Sequence, residues 1–196
     1  MNALIVYAHP HPESLNAAMF AEVRAGLDSN PEISEIRVLD LYGEGFDPVL
    51  KFGKDGRRRD MHLNPDYAVH RRELERADLV VFVYPVWWGR PPAMLLGFFD
   101  QIFAAGFAYR HEDGKVVPEG LLKGKRAVCV YTMKGPRFYE RIRLRDSHRM
   151  LMKRAVLSFV GIRRVAFLGF GGMEKPDGRQ REALAKVRRR MERLSA

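Results

Sequence analysis

Cysteine is nearly missing from this sequence: Cys129 is the only one among 196 residues, so no disulfide can close within the chain. It lies in the apolar run Ala127-Val128-Cys129-Val130-Tyr131, where a thiol packs as a small inert hydrophobe. No apolar stretch reaches the roughly 18 residues that a membrane span needs. Met1-Asn2-Ala3 runs directly into an apolar segment without a basic leader, so the cytoplasm is the expected compartment. Absent too are G-x-G-x-x-G, G-x-x-x-x-G-K-[ST] and G-x-S-x-G. Their absence disfavours a Rossmann dinucleotide site, a P-loop and a hydrolase nucleophile elbow. No His/Cys cluster has zinc spacing. His9 and His11 lie two apart between prolines with no third ligand nearby, so no metal is expected.

Acidic residues are in the minority, 24 against 34 basic ones, for a net charge of +10. The excess gathers in Lys134–Arg154, where only Glu140 and Asp146 oppose it, and in the tail Arg179–Arg193. Such a balance suits nucleic acid, anionic lipid or a phosphate-bearing small molecule. Neither segment interleaves its charges with aromatics as nucleic-acid motifs do, so no nucleic acid is expected. Solvated helix faces account for most of the charge.

With 46% hydrophobic and 30% charged residues, the chain reads as one domain spanning 1–196, long enough for a full core. Apolar runs at Ala3–Ala8, Leu79–Tyr84, Arg126–Thr132 and Val165–Phe170, and the alternating segment Ile33–Leu41, read as strands. Between them lie helices at Leu15–Leu27, Tyr67–Arg76, Ala93–Phe103 and Tyr139–Phe159, with a closing helix near Asp177–Arg193. Tyr42–Pro65, with the charge cluster Lys54–Asp60, reads as a long loop, and Ala104–Leu122 as a hairpin-like excursion. The alternation of strand and helix calls for a parallel sheet with right-handed crossovers. The expected fold is α/β: a doubly wound, five-stranded parallel sheet in the order 2-1-3-4-5, with helices on both faces.

In such sheets ligands bind outside the carboxyl ends of the strands, here the loops His9–Asn16, Pro85–Arg90 and Thr132–Tyr139. The stretch VVFVYPVWWGRPPAMLLGFFD, Val80 to Asp100, places Trp87 and Trp88 at one of these edges. Two tryptophans there either plug the loop against the sheet or form a platform for a planar ligand. Ser14 is the expected N-cap of the first helix. The same helix start could hold a phosphate through the N–H groups of Leu15 and Asn16, helped by His9, Ser14 and Asn16 side chains.

The segments A-H-P-H-P-E-S-L-N and Y-P-V-W-W-G-R-P-P-A-M-L-L-G-F-F-D-Q-I-F-A-A-G-F-A-Y together resemble the flavodoxin-like NAD(P)H:quinone oxidoreductases. That family includes mammalian quinone reductases and bacterial ancillary subunits of glutathione-gated potassium efflux systems. The resemblance runs from Ala3 to about Phe170. It implies a flavin, FAD or FMN, reduced by NAD(P)H and reoxidised by a quinone-like acceptor through two-electron hydride transfer. It implies that His9, Leu15 and Asn16 contact flavin phosphate, and that Pro85, Val86, Trp87 and Trp88 lie along the ring, largely through backbone donors. Thr132, Met133, Lys134 and Gly135 match a loop that usually reads T-T-G-G and supports the ring's polar edge. Tyr139 falls at or beside a tyrosine that hydrogen-bonds the flavin, with a catalytic role that His148 could share. Trp88, Tyr109 and His111 correspond to the substrate cavity.

The chain departs from this pattern in places. Met133-Lys134 stands where the family has Thr-Gly, which brings a cation toward the ring, and Arg145 stands where the family has a histidine. A segment before His62 is shortened, which leaves FAD and FMN both open. The family also implies a homodimer with Phe107–Val116 near its interface. A regulatory subunit of a potassium efflux system, docked on a membrane transporter, is the alternative function. A one-electron flavodoxin-type carrier fits less well, because such carriers have a hydroxyl- and Gly-rich loop where this chain has His-Pro-His-Pro.

Overall fold

In the computed structural model, residues 1–51, 53, 57–174 and 177–195 are described. In chain order these are β1 (Asn2–Tyr7), α1 (Leu15–Asp28), β2 (Glu35–Asp40), α2 (Ala68–Arg76), β3 (Leu79–Pro85), α3 (Ala93–Ile102), β4 (Tyr109–Arg110) and β5 (Glu119–Gly120). Next come β6 (Arg126–Met133), α4 (Arg137–Ile142), α5 (Ser147–Met150), β7 (Arg164–Gly171) and α6 (Gly178–Glu192). The five long strands form one parallel sheet in the order β2-β1-β3-β6-β7. This is the expected 2-1-3-4-5 order, with β6 and β7 as its fourth and fifth strands. The excursion between α3 and β6 carries the short antiparallel ribbon β4–β5, with Tyr109 opposite Gly120.

Strand side chains alternate between two cores, as the two-residue period of a strand dictates. Ala3, Ile5, Tyr7, Val81, Val83, Val128 and Val130 pack under α1 and α6 through Met19, Val23, Leu27, Val187 and Met191. Leu4, Val6, Val80, Phe82, Tyr84, Cys129 and Tyr131 face the other layer, with Leu74, Leu95, Phe98, Ile102 and Leu157. Both faces are covered, which is why the central strands read as unbroken apolar runs.

The helices α1 and α6 touch closely at Gly26. A Cβ there would lie 2.7 Å from Arg188 O and 2.7 Å from Met191 Cβ, so only glycine allows this approach. Buried Asn30 fastens the same pair of helices, donating to Met191 O at 2.8 Å and Leu194 O at 2.9 Å.

Two expectations need correction. The helix expected over Tyr139–Phe159 is broken into α4, α5 and a π-helical turn at Leu151–Leu157. Arg145 (φ 51°) and Asp146 (φ 53°) are left-handed and stop α4. No glycine or proline lies between Tyr139 and Phe159, so nothing in that stretch signals the break. The loop expected over Tyr42–Pro65 contains a 3-10 turn at Arg58–Leu63. Lys54, Asp55 and Gly56 of its charge cluster lie outside the described residues. Among the described residues, no helix is long and apolar enough to cross a membrane.

Candidate active site

The carboxyl ends of β1, β3 and β6 lie side by side, with Tyr7 opposite Val83 and Pro85 opposite Thr132. From β1 the chain enters His9-Pro10-His11-Pro12-Glu13, whose imidazoles organise their own backbone. His11 N–H donates to His9 Nδ1 at 3.1 Å, and Glu13 N–H donates to His11 Nδ1 at 3.0 Å. At His11 the second bond assigns the ring proton of the neutral form to Nε2. His9 Nδ1 lies both within reach of the His11 N–H and 3.2 Å from the His11 carbonyl, so its tautomer follows whichever contact it makes. Burial lowers the pKa of His9, against a smaller opposing effect from the His11 backbone, which favours the neutral form. Ser14 caps α1 as expected, its hydroxyl accepting from Ala17 N–H at 3.1 Å. The N–H groups of Leu15 and Asn16, in the first turn, have no carbonyl four residues back within the helix. Capping and anion binding are therefore compatible here, because the cap occupies a different N–H.

Asn16 is buried, and its Nδ2 donates to Thr132 Oγ1 at 2.8 Å, tying the first loop to the end of β6. Its Oδ1 has no partner within the protein although it is buried. The His9 ring lies 6.3 Å from the Trp87 ring, so the first loop continues into the next feature without a gap.

That feature is an open, largely apolar cleft of about 670 Å³ lined by Val86, Trp87, Trp88, Met133, Tyr139 and Glu140, among others. One wall is a tight turn. Trp87 N–H donates to Arg90 O at 3.0 Å and Arg90 N–H to Trp87 O at 3.1 Å. Trp88 (φ 54°) and Gly89 (φ 69°) sit at its tip, both left-handed as a type I′ turn requires. The tryptophans do not plug the loop: Trp87 is 42% exposed and Trp88 95% exposed. Leu144 Cδ1 approaches within 3.3 Å of where a Gly89 Cβ would be, so the α4–α5 link backs this turn.

The backbone donors expected from this stretch are partly committed elsewhere. Val86 N–H donates to Thr132 O at 2.7 Å and Trp87 N–H closes the turn, so neither is available to a ligand. Pro85 is buried at the end of β3 and has no N–H. Thr132 is buried beside Asn16, while Met133, Lys134 and Gly135 form the opposite wall of the cleft. The Lys134 ammonium is paired with Glu174 at 2.7 Å, which counters the cation that the sequence brings here. Tyr139, half-exposed, lines the cleft as a helix residue of α4.

His148 is not at the cleft. It is fully buried behind it, with Nε2 2.8 Å from Tyr84 Oη and Nδ1 3.3 Å from Glu140 Oε1. The helix break at Arg145–Asp146 redirects the chain, so His148 can act only through Tyr84 or Glu140. Tyr109 and His111 do not line the cleft either. They pair edge to face at 5.8 Å on the β4–β5 ribbon, where Tyr109 also packs on Phe159 at 5.0 Å. Sequence reasoning missed Glu140, a buried acid in the cleft wall, together with Tyr84 behind it and Leu144. For Glu140 a signal existed: it is one of two acids in the basic run Lys134–Arg154.

The chain is 29% identical over 189 residues to an uncharacterized NAD(P)H oxidoreductase of Haemophilus influenzae, covering 95% of this chain and 92% of that protein. It superposes on Smu.1420 of Streptococcus mutans with a TM-score of 0.91 at 34% identity, covering 99% of this chain and 100% of that one. It superposes on the NAD(P)H:quinone oxidoreductase of Methanothermobacter marburgensis with a TM-score of 0.86 at 26% identity, covering 100% and 99%. It spans only about half the length, 53%, of the rodent NAD(P)H dehydrogenase [quinone] 1 proteins that it also matches. Residues 1–194 match the Flavodoxin_2 family, described by its flavodoxin-like fold, and the chain belongs to that family.

Proposed function

We propose that this protein is a flavin-dependent NAD(P)H oxidoreductase that passes two electrons to quinones or similar acceptors. The observation that carries this reading is the continuity of two sites at one sheet edge. A helix start with N–H groups free of intrahelical partners is tied by the Asn16–Thr132 bond to the end of β6, whose next residue, Met133, lines the open apolar cleft. A molecule with a phosphate at one end and a flat ring at the other fits both. The similarity to the Haemophilus NAD(P)H oxidoreductase and the Methanothermobacter NAD(P)H:quinone oxidoreductase supports the same class.

The donor set suits a flavin. The Leu15 and Asn16 N–H groups and the His9 imidazole would hold phosphate, with Ser14 ordering the turn. Buried, unpartnered Asn16 Oδ1 is an acceptor for a ligand hydroxyl. Trp87, Met133 and Gly135 would flank the ring. Either FMN or FAD satisfies this set. When bound, the flavin supplies reversible hydride acceptance, which no side chain can perform.

The chain's residues do the rest. Tyr139 presents a hydroxyl at the cleft wall, where it can stabilise charge developing on the ring's polar edge. Trp88 walls the space in which nicotinamide and acceptor would alternate, and the apolar lining limits water around the transfer. In a homodimer, the β4–β5 ribbon could bring Tyr109 and His111 to the cleft of a second copy.

The test is acid release of bound cofactor with mass identification, followed by NADH and NADPH oxidation with a quinone. A yellow protein yielding FMN or FAD and reducing the quinone is the expected result. Protein that takes up neither flavin rejects the reading.

A further inference from the structure

The helix α4 has little of its own to hold it in place. At six residues, Arg137–Ile142, it is far shorter than the roughly 12–15 residues at which an isolated helix becomes even marginal in water. Pro136 stands at its start and no side chain caps it. None of its apolar side chains is buried: Phe138 is 66% exposed, Tyr139 50% and Ile142 75%. Its one buried residue is Glu140, whose carboxylate oxygens accept no hydrogen bond from the described residues. Yet this helix carries Tyr139, which lines the cleft.

The anchor is Arg137, the first residue of α4. Its Nη1 donates to Tyr131 Oη at 2.9 Å, and its guanidinium carbon lies 5.5 Å from the centre of the Tyr131 ring. Its Nε lies 3.7 Å from Glu140 Oε2, one turn further along the helix. A guanidinium can make these contacts together because it is planar and spreads five donors in a fixed fork. Strand β7 leaves the space for it. Gly169 pairs in register with Tyr131, and a Cβ there would overlap both Arg137 Nη1 and the Tyr131 ring. Two residues on, a Cβ at Gly171 would lie 2.7 Å from Arg137 N and 2.7 Å from Gly135 O. Gly172 N–H then donates to Gly135 O at 3.0 Å. Glycine inside a strand weakens it and marks the close approach of another segment. The run Gly169-Phe170-Gly171-Gly172 marks the approach of the loop that leads into α4.

We propose that Arg137 is a positioning residue: seated in the slot that Gly169 opens beside Tyr131, it holds α4 against β7 and so fixes the Tyr139 hydroxyl at the cleft wall. The proposal rests on the reading of Tyr139 as the residue that meets developing charge in the cleft. Arg137 does not line the cleft and acts only through the helix that it starts. A lysine would keep the charge but not the flat fork that both stacks on the ring and bonds its hydroxyl.

Two variants and two measurements test this. Arg137→Met keeps the apolar stem and removes the fork; Gly169→Ala keeps Arg137 and fills its slot. In α4 the Arg143 N–H donates to Tyr139 O at 2.8 Å. In flavin-free protein, NMR hydrogen exchange at that N–H should quicken at least about tenfold in Arg137→Met, while the amides of α6 keep their rates. Unchanged exchange at Arg143 overturns the proposal. Gly169→Ala should quicken the same amide, and wild-type exchange there also overturns it; if that variant does not fold, Arg137→Met decides alone. In flavin-loaded protein, Arg137→Met should lower kcat at least about tenfold with KM for NADPH within a few-fold. In a Tyr139→Phe background the same substitution should cost nothing further, because the group that it positions is gone. Losses that multiply in the double variant overturn the proposal. If Tyr139→Phe alone leaves kcat intact, or no flavin binds, the reading of the cleft falls, and the flavin-free exchange still decides whether Arg137 seats α4.

Discussion

Asn16 Nδ2 donates to Thr132 Oγ1 across 2.8 Å, joining the first turn of α1 to the end of β6. Asn16→Asp keeps the shape and lets the Thr132 hydroxyl donate in turn, but sets a carboxylate at the phosphate end of the site. Flavin affinity, read by fluorescence quenching, should weaken by at least about tenfold, roughly 1.4 kcal/mol. Unaltered affinity would remove the first loop from the site.

Tyr139 contributes a hydroxyl to a largely apolar cleft. Tyr139→Phe should lower kcat by about 10²–10³, the range for losing one hydrogen bond aimed at developing charge, while flavin affinity stays within a few-fold. Stopped-flow reduction by NADPH separates the two effects. Full activity in the variant discards the role.

Trp88 holds a left-handed backbone at φ 54° while its side chain is almost fully in water. Such a conformation costs a bulky residue on the order of 1–3 kcal/mol. Trp88→Asn should therefore raise Tm by about 2–4 °C for each kcal/mol relieved. It should also raise KM for the acceptor by removing the wall. A lower Tm would mean that the indole contributes packing which outweighs the strain.

Gly26→Leu forces a side chain between α1 and α6, where even a Cβ meets Arg188 O at 2.7 Å. A loss of about 1–3 kcal/mol or more is expected in urea unfolding. Wild-type stability in the variant would show that the helices can separate freely.

Burial lowers the pKa of both His9 and His70 from 6.5, outweighing the Glu44 carboxylate that opposes this at His70. The fold disfavours their protonation, so below pH 6.5 the unfolded chain binds more protons. Stability from this source is complete above the unfolded value and declines as pH falls through it toward the folded values. His70→Phe should flatten the dependence of Tm on pH as pH falls below 6.5. Parallel curves for variant and wild type would contradict this.

The parallel sheet was legible because its strands are apolar on both sides, as in Val80–Tyr84 and Ala127–Tyr131, and five such strands with right-handed crossovers suggest the 2-1-3-4-5 order. The three loops of the site followed from that order. What escaped was local. His148 falls behind the cleft because Arg145 and Asp146 turn left-handed without a glycine to announce it. The buried environment of Glu140 depends on β3, β6 and α5 meeting around it, which no short-range pattern encodes. The commitment of Val86 N–H to Thr132 O is a long-range bond of the same kind.

Trp88 also has a calorimetric consequence. In the free protein its indole face is hydrated at 95% exposure, as is much of the Trp87 ring beside it. A flat molecule laid along this turn removes that apolar area from water without first having to open a closed pocket. Binding should therefore carry a negative heat-capacity change. Trimming the indole should shrink this change more than it shrinks the binding enthalpy at any single temperature.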